Sequence, residues 1–161
     1  MSHSATRLGL RFPTDRPERA GTRESAGTDP LWGGCQCGAI RFTVRSPASP
    51  PALCHCVSCR RASGAPVVAW ATFRVSDVDF GDSLPGYYRS SPHVTRGFCR
   101  HCGTPLTYAH DDYPDYVDVT VVSLDDPESL PPKDQVWTGH RLAWMEHLDE
   151  MPEYQRTRKE E

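Results

Sequence analysis

Gly33-Gly-Cys-Gln-Cys-Gly38, Cys54-His-Cys-Val-Ser-Cys59 and Cys99-Arg-His-Cys-Gly103 hold all seven cysteines of the sequence. Two of these clusters contain a C-x-x-C knuckle and two contain a C-x-C pair, which is the spacing of metal ligands rather than of isolated core thiols. Seven is also one closed set of four thiolates plus one set of three. Structural zinc is held by four protein ligands, whereas catalytic zinc keeps one position for water or substrate. The count therefore predicts a metal that builds the fold and a second metal able to do chemistry.

Disulfides explain the pattern poorly. Seven is odd, and the stretch from Met1 to Pro30 is polar, with no apolar core of a signal segment. No run approaches the roughly 18 apolar residues of a membrane span. A cytoplasmic location, where thiols stay reduced, is the expectation, and zinc suits soft thiolate ligands. With 37% hydrophobic residues the core is small, so metal staples matter: structural zinc supplies on the order of 10 kcal/mol of folding free energy. A net charge of −3 offers no basic stripe for a nucleic acid.

Composition divides the 161 residues into three segments. Residues 1–30, rich in Ser, Thr, Gly and Pro with mixed charge, read as a disordered tail. Residues 31–149 form the domain, and 150–161 a charged C-terminal tail. Within the domain the dominant period is two. Ile40, Phe42 and Val44 alternate with Arg41, Thr43 and Arg45, and Val117, Val119 and Val121 with Asp118 and Thr120. Val67 to Val75 reads as a central strand with Phe73 and Val75 on one face. Shorter strands are expected at Gly86 to Arg89, His93 to Phe98 and Leu106 to Tyr108. Helix is scarce: Val57 to Ser63, stopped by Gly64, and Arg141 to Leu148. Fifteen prolines and twelve glycines punctuating such runs point to an all-β domain.

The spacing allows two groupings of the thiolates. In extended backbone the C-x-C spacing places both cysteines on one face. Cys35 and Cys37 can therefore complete the Cys99/Cys102 knuckle, leaving Cys54, Cys56 and Cys59 to hold a metal by themselves. Alternatively Cys56 and Cys59 join Cys99 and Cys102 as a zinc ribbon, and Cys35, Cys37 and Cys54 form a looser triad. A histidine would close the second site: His55 should point away from its flanking cysteines, His101 lies in a knuckle loop, and His93 and His110 have no positional argument.

The clusters, with Arg96-Gly-Phe-Cys-Arg-His-Cys-Gly-Thr-Pro-Leu106, Val119-Thr-Val-Val-Ser-Leu-Asp-Asp-Pro127 and the late Trp137 and Trp144, resemble the glutathione-dependent formaldehyde-activating enzyme family, which includes centromere protein V. The resemblance covers residues 31 to 153. It implies zinc-stapled, coiled antiparallel β-sheets related to the small zinc-binding Rab-exchange chaperones. It also implies two zinc ions: a structural one on Cys35, Cys37, Cys99 and Cys102, and a catalytic one on Cys54, Cys56 and Cys59. The implied chemistry is that of a carbon–sulfur lyase, in which glutathione, or another low-molecular-weight thiol, and formaldehyde form S-hydroxymethylglutathione. The partners are then a small thiol and an aldehyde, with no nucleic acid and no membrane.

Such a thiol is anionic, so Arg60 and Arg61, next to Cys59, are candidates for its carboxylates. Ser58 and Ser63 either meet the substrate or cap the turn. Trp70 and Phe73 read as core, and Asp125 and Asp126 as a turn before Pro127. The competing reading is a non-catalytic interaction module in which both zincs are structural.

Overall fold

The structure, a computed structural model, describes residues 30–158. The expected N-terminal tail lies outside them except for Pro30, as do the last three residues of the C-terminal tail. In sequence order the strands are β1 (Leu31–Gly34), β2 (Arg41–Val44), β3 (Ala52–Cys54), β4 (Val68–Arg74), β5 (Val78–Asp79), β6 (Gly86–Ser91), β7 (Val94–Phe98), β8 (Pro105–His110), β9 (Tyr116–Thr120) and β10 (Asp134–Val136). One α-helix, α1 (Val57–Ser63), follows β3. The all-β expectation holds, and no helix among the described residues is long and apolar enough to cross a membrane.

The strands form two sheets, β1-β2-β5 and β10-β3-β4-β9-β8-β7-β6, antiparallel throughout except for the parallel pair β10–β3. Period-two alternation gives the larger sheet two different faces. Ala69, Ala71 and Phe73 of β4 and Val119 of β9 pack with Phe42 and Val44 of β2 to make the core. Val68, Trp70 and Thr72 take the alternate positions, so they point to the opposite face. On that face the register runs straight across four pairings, Thr72↔Asp118, Asp118↔Tyr108, Tyr108↔Arg96 and Arg96↔Tyr88. Directly opposed residues share a face, so this transverse row is one surface.

The two sheets are tied at one corner. A bridge joins Gly33 to Leu124, the Asp125 N–H donates to the Trp32 carbonyl at 2.9 Å, and both guanidinium arms of Arg41 bind the Asp125 carboxylate. Asp125 is therefore more than a turn residue, while the turn itself is present at Pro127–Ser129.

Two expected elements end differently. Val75 does not continue β4; the backbone turns into a 3-10 segment at Val75–Asp77, leaving Val75 51% exposed. Residues 141–148 do not form an α-helix but 3-10 turns over Ala143–Glu150, broken at His147. That stretch buries no residue. A short helix without a packed face gains too little to offset its nucleation cost.

Candidate metal centres and the cavity beside them

Cys35, Cys37, Cys99 and Cys102 bring four sulfurs within 4.8 Å of one another, so the first grouping of the sequence analysis is the one the fold assembles. The sulfurs of Cys35 and Cys37 are 3.5 Å apart and those of Cys37 and Cys99 3.8 Å apart. A tetrahedral zinc with bonds of about 2.3 Å needs ligand sulfurs about 3.8 Å apart, and these meet that demand. Local structure delivers them. Gly103 takes a left-handed backbone (φ 78°) that closes the knuckle, and its N–H donates to the Cys99 carbonyl at 2.9 Å. The Ile40 N–H points at the Cys35 sulfur, 3.2 Å away. Thr104 Oγ1 lies 3.1 Å from the Cys102 sulfur and accepts the Gln36 N–H at 3.1 Å, joining the two halves. Burial raises the Cys102 thiol pKa, but hydrogen bonds from Thr104 outweigh this and hold it at about 6.

Cys54, Cys56 and Cys59 form the second group, three sulfurs within 4.8 Å of one another. No other His, Cys, Asp or Glu donor among the described residues joins them at that range. Cys54 ends β3, and the Cys56 sulfur caps α1 by accepting the Cys59 N–H at 3.2 Å. One helical turn then returns Cys59 beside Cys54. Gly64, in the left-handed region, ends the helix. Hydrogen bonding from Cys54, and after it from Cys56 and Arg96, outweighs burial and lowers the Cys59 thiol to about 5. The shared proton pushes Cys54 far up. Each cluster thus holds one thiol, Cys102 or Cys59, as thiolate near neutral pH, the form a metal requires, while a neighbouring thiol, Cys37 or Cys54, is pushed up.

His55 is 1% exposed, and its Nε2 lies 2.9 Å from Gln135 Oε1 on β10 rather than in the sulfur cluster. His93 and His110 stack on each other at the β7–β8 end, and His101 is solvent-facing.

A cavity of about 670 Å³ opens beside the three cysteines. Arg96 stands over it, 5% exposed. Its Nη2 donates to Ser58 Oγ at 3.0 Å and approaches the Cys59 sulfur at 3.8 Å. Its Nε donates to Ser90 Oγ at 3.2 Å, and its plane sits 5.0 Å from the Tyr108 ring centre. Arg60 and Arg61 do not line this cavity; Arg61 borders a separate concavity that shares Val57 and Ser58 with it. Sequence reasoning looked for a cation next to Cys59 along the backbone. The signal it missed is that Arg96 occupies a face-setting position in a strand, where a charge must be paired to be buried.

Ser63 caps the helix through the Cys59 carbonyl at 2.8 Å, while Ser58 holds Arg96. Phe73 is core, as expected, but Trp70, although 9% exposed, also lines the cavity and packs on Tyr108 at 6.1 Å. Trp137 stands at the rim, 62% exposed, and alone among the described non-glycine residues has a left-handed backbone (φ 59°).

The profile of a family described as glutathione-dependent formaldehyde-activating enzyme matches residues 30–140. Over 78 residues, 48% of this chain, the sequence is 32% identical to a Schizosaccharomyces pombe protein named an uncharacterized lyase. That match covers 56% of the yeast protein, so the chain spans about half the length of this curated relative. A crystal structure of a Rhodobacter sphaeroides protein superposes with a TM-score of 0.53 at 25% identity, covering 66% of this chain and 100% of that one.

Proposed function

The chain belongs to the glutathione-dependent formaldehyde-activating enzyme family, and from that premise we propose that it is a zinc-dependent carbon–sulfur lyase. Its substrate pair is a small thiol, glutathione or a relative, and an aldehyde such as formaldehyde. The observation that carries this reading is the three-sulfur cluster that has no fourth protein donor among the described residues and faces a cavity. Four sulfurs at Cys35, Cys37, Cys99 and Cys102 fit a closed structural zinc, and Cys54, Cys56 and Cys59 fit an open one.

When bound at the open cluster, zinc would favour thiolate over thiol in the substrate. The substrate thiol gives up its proton to solvent, its sulfur attacks the aldehyde carbon, a carbon–sulfur bond forms, and the carbonyl π electrons move to oxygen, which takes a proton back from solvent. In reverse the hydroxyl loses its proton, the carbonyl re-forms and the thiolate leaves. The protein's own groups set the stage. Arg96 supplies positive charge at the Cys59 sulfur, and Ser58 and Ser90 fix its fork. Trp70 and Tyr108 wall the cavity. The carboxylate contact expected of Arg60 and Arg61 falls more naturally to Arg96, the cation on the lining.

The test is NMR exchange between formaldehyde and S-hydroxymethylglutathione with zinc-loaded protein. Acceleration over the uncatalysed rate, abolished in a Cys56→Ser protein that stays folded with one zinc, is the expected result. Absence of acceleration with both zincs bound would return the interaction-module reading.

A further inference from the structure

A second concavity of about 470 Å³ adjoins the cysteine cavity and shares Ser49, Thr72, Tyr108 and Asp118 with it. Its outer wall is Tyr113 and Tyr116. Asp118 is the one carboxylate on the lining of either space. Its Oδ1 accepts the Thr72 hydroxyl at 2.6 Å, and among the described residues no Lys, Arg or His nitrogen lies within 4.0 Å of it. His110, also on the wall, is turned to the following loop, its Nδ1 3.2 Å from the Asp112 N and 3.7 Å from the Asp112 carboxylate.

A half-buried carboxylate facing phenol rings, without a cation of its own, is a mismatch that a ligand can resolve. Ring faces attract cations, and a carboxylate gives an ammonium a charge-assisted hydrogen bond. We propose that this tyrosine-walled cavity is the subsite for an ammonium group on the thiol substrate, with Asp118 as its counter-ion; the proposal rests on the carbon–sulfur reading above.

The spacing agrees. Arg96, Tyr108 and Asp118 occupy adjacent strands in one row, so the first and last lie two strand spacings, about 10 Å, apart. A γ-glutamylcysteine unit spans roughly 9 Å from sulfur to α-nitrogen when extended, taking ordinary bond lengths. The lining also sets Arg96 near the sulfurs and Asp118 at the far end of the row. It suits a zwitterionic, amino-acid-derived thiol better than a purely anionic one.

The experiment uses two ligands without a free thiol, S-methylglutathione and its N-acetyl derivative, which lacks the ammonium charge. Both are titrated by NMR into the zinc-loaded, full-length protein. S-methylglutathione should bind at least about tenfold tighter, the scale of a hydrogen bond to a charged group. In Asp118→Asn, which keeps an acceptor for Thr72, the ratio should fall towards one. In Tyr113→Leu, a change at an exposed ring, it should fall about two- to fivefold. Equal binding of the two ligands to the wild type, or failure of both to bind, overturns the proposal. So does an Asp118→Asn protein that keeps the ratio but loses kcat, since Asp118 would then act on a proton rather than on the ammonium. Normal formaldehyde exchange with a ratio of one sinks this subsite alone. An intact ratio without exchange supports the subsite and sinks the lyase reading.

Discussion

Replacing Arg96 by Met removes one positive charge 3.8 Å from the Cys59 sulfur while keeping most of the side-chain volume. Zinc held by three thiolates carries a net charge of about −1, so Arg96 is its nearest compensation. Coulomb's law at 3.8 Å with an effective dielectric constant of about 20 gives about 4 kcal/mol, a ceiling of about a thousandfold in zinc affinity. Relaxation of Ser58 and Ser90 and entry of water into the vacated space lower this, and we expect a ten- to hundredfold loss, on the order of 1.4–2.8 kcal/mol. The assay is titration of the zinc-loaded protein with a competing chelator. Two release steps are expected, and in Arg96→Met only the step of the three-cysteine site should move to lower chelator. Arg96→Lys should recover part of the loss, because it keeps the charge without the planar fork that meets Ser58 and Ser90. If neither step moves, or if the four-cysteine step moves instead, the electrostatic role argued for Arg96 is refuted.

Cys99→Ser should abolish cooperative thermal unfolding: a structural zinc supplies about 10 kcal/mol or more, comparable with the whole stability of a domain, and Cys99 is fully buried at its centre. A near-wild-type melting transition would contradict the assignment of the four-sulfur site. Gly97→Ala places a Cβ 2.2 Å from Thr107 Oγ1 and should cost about 1–3 kcal/mol in urea denaturation. Adding Thr107→Ala removes that hydroxyl, so strictly additive effects in the cycle would disprove the clash. Asp118 is raised above its usual 3.8 by burial, which outweighs the Thr72 hydrogen bond. The folded state therefore holds this proton more tightly than the unfolded state does. The wild type should lose stability relative to Asp118→Asn as pH rises from the unfolded value through the folded one, and the difference should stop changing below the unfolded value. Urea midpoints of both proteins across that range check the sign; a difference independent of pH would contradict it.

The strands that alternate cleanly were readable because one face of each meets a core. Phe42 and Val44, or Val119, leave no choice of register without exposing apolar surface. The C-x-C pairs were readable for the same geometric reason. Two strands that frame the site were not. β3 and β10 have three residues each; every residue of β10 is exposed and only Cys54 of β3 is buried, so neither shows an alternation. Their parallel pairing, Val136 opposite Cys54, is a long-range event with no local signature. Arg96 was hidden differently. Its residue type argues for solvent, and only the neighbours supplied by β6, β8 and α1 make burial tolerable. Asp118 likewise reads as the polar side of an amphipathic strand; that this side faces a cavity depends on the strands around it.

The pairing of β10 with β3 has a bearing on the order in which the molecule is made. The His55 N–H donates to the Val136 carbonyl, and Gln135 meets the His55 ring, so the loop bearing the open cluster is braced by residues about 80 positions later in the sequence. During synthesis the seven sulfurs emerge by residue 102, and the metal sites can close while the brace is still in the ribosome. The rim that carries Trp137 and His140 is therefore the last part of the cavity to arrive. A nascent polypeptide therefore has both cysteine clusters before it has the rim of the pocket. The lining of the cavity is complete only once residues 136–140 have emerged.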